Sequence, residues 1–371
     1  MALRFVAFVS GLLVTWFTVA SAIRTMILPR SGDSTLTRLV FRIVRGAFRL
    51  VAGRRRSFAW RDRIMALFGP VALLTLVVVW LALVTGAFTL MFWALEQQGW
   101  ERAYDVSGSS LLTLGFEDVE GFALHTLSFV EAALGLALLA LVITYLPSIY
   151  GAFSRREALV AMLESRAGSP PSSVEMVLRF HRIGMSDRLA EVWLEWERWF
   201  AEIEESHTTF PALTFYRSPS PERHWVIAAG TVLDAAALTL STRPSFGPPE
   251  AALAVRSGFI ALRRIGDMFG IDAPSDPRRG DPISITRAEF DEAVGRLVEA
   301  GVPVRDDLGE AWLDFAGWRV NYDTVLLDLA ELTMAPYSPW TSDRSTPRHR
   351  MPRVRRWGRR RRGEPVEWLP R

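Results

Sequence analysis

Chemistry in this chain is done without lysine or cysteine: all 43 basic residues are Arg, and neither Lys nor Cys occurs. Schiff-base chemistry, a Walker-type phosphate loop and a kinase lysine are therefore excluded. So are disulfides, thiolate nucleophiles, iron–sulfur clusters and Cys-based zinc sites. The five histidines, at 125, 181, 207, 224 and 349, lack metal-ligand spacing. Acidic groups such as Glu202, Glu204 and Glu205, or Asp306 and Asp307, read as solvated faces or helix starts. No nucleophile–base pair stands out, so the chain reads as no enzyme and calls for no cofactor. One peptide remains, between two long apolar runs: Ser109-Ser110-Leu111-Leu112-Thr113-Leu114-Gly115-Phe116-Glu117-Asp118. It sets hydroxyls, a glycine, an aromatic and two acids within ten residues.

That peptide resembles the selectivity filter in the single-pore-loop module of prokaryotic potassium channels, which reads Thr-Val-Gly-Tyr-Gly-Asp. Thr113, Leu114, Gly115, Phe116 and Asp118 fit the pattern, and Glu117 stands where the family has its second glycine. The resemblance implies backbone carbonyls facing a shared axis, where they replace a monovalent cation's hydration shell. It implies a homotetramer, since each chain has one loop. It also implies left-handed backbone at 117, where a β-carbon costs roughly 1–2 kcal/mol, and a ring of four Glu117 carboxylates that attracts cations. Asp118 would pair with a pore-helix side chain, Ser109 being nearest by spacing. Gly135 lies where the family often places a gating hinge, and Pro147 could kink the same helix. For each, helix packing through a small residue is the equal alternative. Glu131 should face the bundle interior, because a lipid-exposed carboxylate is costly, and it could brace the loop from behind. The plain alternative is an ordinary extracellular turn.

The flanking elements have the right lengths for a membrane. Phe5–Ile23 is uncharged between Arg4 and Arg24, close to the roughly 20 residues a bilayer requires. A cleaved signal peptide ending at Ala20-Ser21-Ala22 is the competing reading. The next segment argues against cleavage, since residues 30–63 carry ten Arg against Asp33 and Asp62 and should stay cytoplasmic. Within it Arg38, Arg42, Arg45 and Arg49 repeat at helical spacing, opposite Leu39, Val40, Ile43, Val44, Ala47, Leu50 and Val51. This amphipathic helix suits an anionic inner leaflet; a solvated helix on the soluble part is the alternative. A second span lies within Ile64–Leu95, starting near Gly69-Pro70. Trp100–Leu112 is expected to form the pore helix. A third span runs from Gly121 towards Tyr150, before Arg155-Arg156.

Gly168-Ser169-Pro170-Pro171 marks the next boundary, and beyond it the pattern is helical with no strand signal. Val192, Trp193, Trp196, Trp199, Phe200 and Ile203 form one apolar stripe. Val226–Leu240 is nearly apolar enough to span, but Asp234 interrupts it, so a buried bundle helix is expected. Thr286-Arg287-Ala288-Glu289 is a capping box. Neither a Gly-x-Gly-x-x-Gly turn nor a cyclic-nucleotide β-roll pattern is visible. The tail, residues 336–371, is rich in Pro and Arg and reads as disordered, with anionic lipid as its partner rather than nucleic acid; a solvated tail with no partner is the alternative.

The expectation is an all-α, multi-pass protein of a bacterial plasma membrane. It divides into an N-terminal span and basic linker (1–63), a pore module of two spans with a re-entrant helix and loop (64–155), a helical cytoplasmic domain (156–335) and the tail. It is expected to conduct cations, potassium among them. The alternative is a non-conducting, channel-derived membrane sensor or scaffold acting through its cytoplasmic domain.

Overall fold

A computed structural model describes residues 1–28, 34–52, 58–95, 99–244 and 247–344. Among these residues the fold is all-helical, and it divides into two units, Met1–Gly151 and Ala152–Arg371. The Arg clusters at 54–56 and 355–362 lie outside the described residues, as does the tail beyond 344.

The first unit holds α1 (Ala2–Met26), α2 (Thr35–Ala52), α3 (Phe58–Ala66), α4 (Phe68–Leu95), α5 (Trp100–Leu111) and residues 122–151 of α6 (Phe122–Ala167). Pro70 sits in the first turn of α4, where its missing N–H costs nothing. Position 11 of α1 faces Ala87 and Met91 of α4, while Trp80 Nε1 donates to Ser21 Oγ at 3.2 Å. The two helices are therefore antiparallel. Among the described residues four helices are long and apolar enough to cross a membrane: α1, α4 with the end of α3, α6, and α9 (Trp225–Thr242) of the second unit.

The predicted apolar face of α2 is split. Val40 and Val44 are buried, and Phe41 and Phe48 set ring edges on Phe68 at the start of α4. Leu39, Ile43, Leu50 and Val51 stay exposed. Two faces are needed because α2 packs along a neighbouring helix instead of lying alone.

The second unit begins with the end of α6 and continues with α7 (Ser173–Arg182), α8 (Leu189–Thr209), α9, α10 (Pro249–Met268), α11 (Arg287–Glu299), α12 (Leu308–Arg319) and α13 (Asp323–Thr333). The expected capping box is present, with Thr286 and Glu289 satisfying each other's backbone N–H. Trp193, Trp196, Trp199 and Phe200 of α8 are all buried in the core. The apolar stretch of α9 is 94% buried inside the protein, against 17–39% for the other three long helices. Its Asp234 meets the guanidinium of Arg319, itself without exposed surface, and accepts from Tyr322 Oη at 2.8 Å. Arg319 also donates to Asp323 at 2.7 Å and to the Trp340 carbonyl at 2.6 Å.

That last contact corrects the tail boundary. Residues 336–344 were expected to be free, yet Ser338, Trp340 and Thr341 are buried and Arg344 pairs with Glu289 at 2.7 Å. Proline and arginine read as solvent-loving in isolation, but here they follow a segment tied to the core by a buried cation.

Candidate functional site

α5 starts after Gly99 with Glu101 in its first turn, where a carboxylate complements the helix dipole. It ends in a Schellman arrangement. The Thr113 N–H donates to the Ser110 carbonyl at 3.1 Å and the Leu114 N–H to the Ser109 carbonyl at 2.8 Å. This motif requires a left-handed residue just after the helix, and Thr113 supplies it at φ 55°. Glycine is the usual choice. A β-branched residue there costs about 1–2 kcal/mol.

The loop then folds back over the end of its own helix. Gly115 is the second left-handed residue, at φ 69°, with Leu114 between the two. Four consecutive N–H groups turn towards Ser109. Those of Leu114 and Gly115 reach its carbonyl at 2.8 and 3.5 Å. Those of Phe116 and Glu117 reach its Oγ at 3.0 and 3.2 Å. The carbonyls of Thr113, Leu114, Gly115 and Phe116 accept no hydrogen bond among the described residues, and Leu114 and Phe116 are 62% and 61% exposed.

Three sequence expectations change. Ser109 does not pair with Asp118. It braces the loop backbone, and the Asp118 carboxylate instead accepts from the Val119 N–H at 2.9 Å. Glu117 is not left-handed, so the strain expected there falls on Thr113. Glu117 is also not an isolated anion, since Arg102 Nη1 lies 3.7 Å from its carboxylate. Arg102 further donates to the Asp118 carbonyl at 3.0 Å, clasping the returning strand from the first turn of α5. Sequence reasoning missed Arg102, because nothing local links a helix start to residues fifteen or more positions later.

Behind α5 lies the face of α6 formed by Ser128, Glu131, Gly135 and Leu138. Glu131 is fully buried, with Oε1 2.5 Å from Ser107 Oγ, which also lies 3.0 Å from the Thr85 carbonyl of α4. Oε2 has no partner among the described residues. Glu131 thus braces α5, not the loop itself. Ser110 and Ser128 add a hydroxyl pair at 2.5 Å. A β-carbon at Gly135 would sit 2.2 Å from the Leu111 carbonyl, so of the two readings for this glycine the close helix approach is the one with a contact behind it. Pro147 lies inside α6, which continues through it.

On α2, Arg42 and Arg49 are exposed and Arg38 and Arg45 half-buried. Among the described residues no group of three or more His, Asp or Glu is placed to hold a metal ion. No family model, curated protein or solved structure matches the chain.

Proposed function

We propose that the chain is one subunit of a potassium-channel-like, tetrameric cation pore in the plasma membrane. The observation that carries this reading is the loop's division of its backbone: four N–H groups turned in on Ser109, and four carbonyls without donors among the described residues. Carbonyls without donors at membrane depth are stable only in a wet, protein-lined cavity. One loop cannot build that cavity, so several copies must. In this reading α1, α4 and residues 122–151 of α6 are the spans, and the 99–120 segment is re-entrant from outside. Arginine placement keeps the 30–63 linker and the second unit cytoplasmic, with α9 a core helix whose Asp234 is held by Arg319. Monovalent cations are the substrate, and anionic lipids the surroundings.

A second reading is favoured by Arg102. Its guanidinium beside Glu117 offsets the anionic ring that would draw cations to the outer mouth. A non-conducting sensor or scaffold, acting through the helical second unit, would carry such an ion pair without penalty.

Flux into proteoliposomes under potassium and sodium gradients separates the two. Parent protein should pass cations, and Gly115→Ala should abolish flux, since a β-carbon at φ 69° is strained. Unchanged flux in Gly115→Ala rejects conduction through this loop, and no flux in the parent supports the second reading. Native mass spectrometry should find four copies. Reporter fusions after Arg56 and Ser172 should both report cytoplasm.

A further inference from the structure

Within the second unit, the end of α6 meets the 211–216 segment through one guanidinium. Arg156 is buried, and each of its five N–H groups has an acceptor. Nε and Nη2 reach Glu157 Oε1 at 2.9 and 2.8 Å. Nη2 also donates to the Tyr216 carbonyl at 2.8 Å, and Nη1 to the Leu213 carbonyl at 3.0 Å. The fifth acceptor is His207 Nε2, at 3.2 Å. That nitrogen is bare, because Nδ1 carries the ring proton and donates to the Ile203 carbonyl at 2.9 Å. The 211–216 segment has its own ties to the core. Trp225 Nε1 donates to the Thr214 carbonyl at 3.1 Å, and Phe215 meets Phe269 edge to face. A second proton on His207 would set Nε2–H against Nη1–H, two donors and two positive charges in a site closed to water. The ring is held by Ile203 and packs 4.7 Å from Trp225. Arg156 has the long stem, and in Glu157 a carboxylate to leave with.

We propose that His207 is an acid-operated latch, whose protonation at Nε2 expels the Arg156–Glu157 pair and frees α6 from the 211–216 segment. The other groups nearby do not offset the added charge. Arg217 contributes more positive field, felt at His224. Glu204 and Glu205, on the same helix as His207, turn to Arg264 and Thr209. His224 is occupied in accepting from the Val226 N–H at 3.2 Å, and burial raises the Tyr216 phenol. Burial and the charge of Arg156 hold His207 well below 6.5, so release belongs on the acid side of that value. Because α6 runs unbroken from Phe122, the latch acts on the helix that the pore reading makes a span. It does not rest on conduction through the loop.

The cysteine-free chain permits a direct test with pairs of spin labels on the full protein in detergent. Ser154→Cys with Pro219→Cys, both at exposed positions, spans the latch. Glu292→Cys with Leu313→Cys, also exposed, lies on α11 and α12 as a control. At pH 7.5 the first pair should give one narrow distance, and at pH 5.5 a second, longer component should appear while the control stays fixed. His207→Gln keeps an acceptor for Arg156 but does not titrate, and Arg156→Gln removes the second cation. Either variant should give the same distances at both pH values. His224→Asn, which preserves the cap on α9, should respond as the parent does. Unchanged distances in the parent overturn the latch, as does an acid response that survives in His207→Gln or vanishes in His224→Asn. Broadening of the control pair together with the first would mean general unfolding, and overturns it too.

Discussion

Ser109 supplies both of its oxygens to the loop, and its hydroxyl is the part that substitution can remove. In Ser109→Ala the Phe116 and Glu117 N–H groups lose their acceptor. Each unpaired group costs about 1–3 kcal/mol if water does not replace it. Flux should fall sharply, with Ser109→Thr retaining most of it because the oxygen survives; equal loss in both variants would show that the hydroxyl is not what matters. Arg102 belongs to the same scale. Its pair with Glu117 is half open to solvent, so it adds little stability, and its effect lies in the field. Arg102→Gln should raise cation flux at low salt and leave it unchanged at high salt, where screening removes the difference. Flux insensitive to salt in both proteins would exclude that role. Neither contact was legible in the sequence. The filter-like spacing was visible because it is local, whereas the brace and the clasp depend on how the loop folds back.

At the level of elements, periodicity and capping chemistry carried far. The start of α5, the capping box of α11 and the apolar stripe of α8 all follow from local pattern. Pattern could not divide the faces of α2, since a helix shows its apolar residues but not which of them a neighbour covers. Nor could it reveal why α9 tolerates Asp234. The answer sits on α12, 85 residues away. Removing one partner of a buried ion pair leaves the other uncompensated, so Asp234→Ala should destabilise the second unit by about 3–5 kcal/mol. Thermal unfolding followed by tryptophan fluorescence in detergent would measure it. A midpoint within a degree of the parent's would mean that Arg319 finds other partners.

Across the molecule, the second unit is built around cations and neutral histidines held out of water. Arg156 donates to the Leu213 and Tyr216 carbonyls at 3.0 and 2.8 Å and to His207 Nε2 at 3.2 Å. His207 Nδ1 donates to the Ile203 carbonyl at 2.9 Å, which fixes the neutral ring. Burial first, then the charge of Arg156, holds His207 well below the ordinary histidine value of 6.5. Burial, with Arg217 and Arg156, does the same to His224. An unfolded chain binds protons at these sites that the folded one refuses. Stability should therefore be full above about pH 6.5 and fall as pH drops below it. Unfolding midpoints measured from pH 8 to pH 5 should show this decline, smaller in His207→Gln; a flat profile would exclude the histidines as its source.

The grip of Arg319 on the Trp340 carbonyl decides where this protein can be cut. Composition alone suggests trimming at 335, just before the Pro- and Arg-rich stretch. A stop codon there would strip an acceptor from a guanidinium with no access to water, and would take with it the pair between Arg344 and Glu289. A protease site or affinity tag belongs after 344. A shortened chain that failed to fold would then be reporting a missing carbonyl, not a function of the tail.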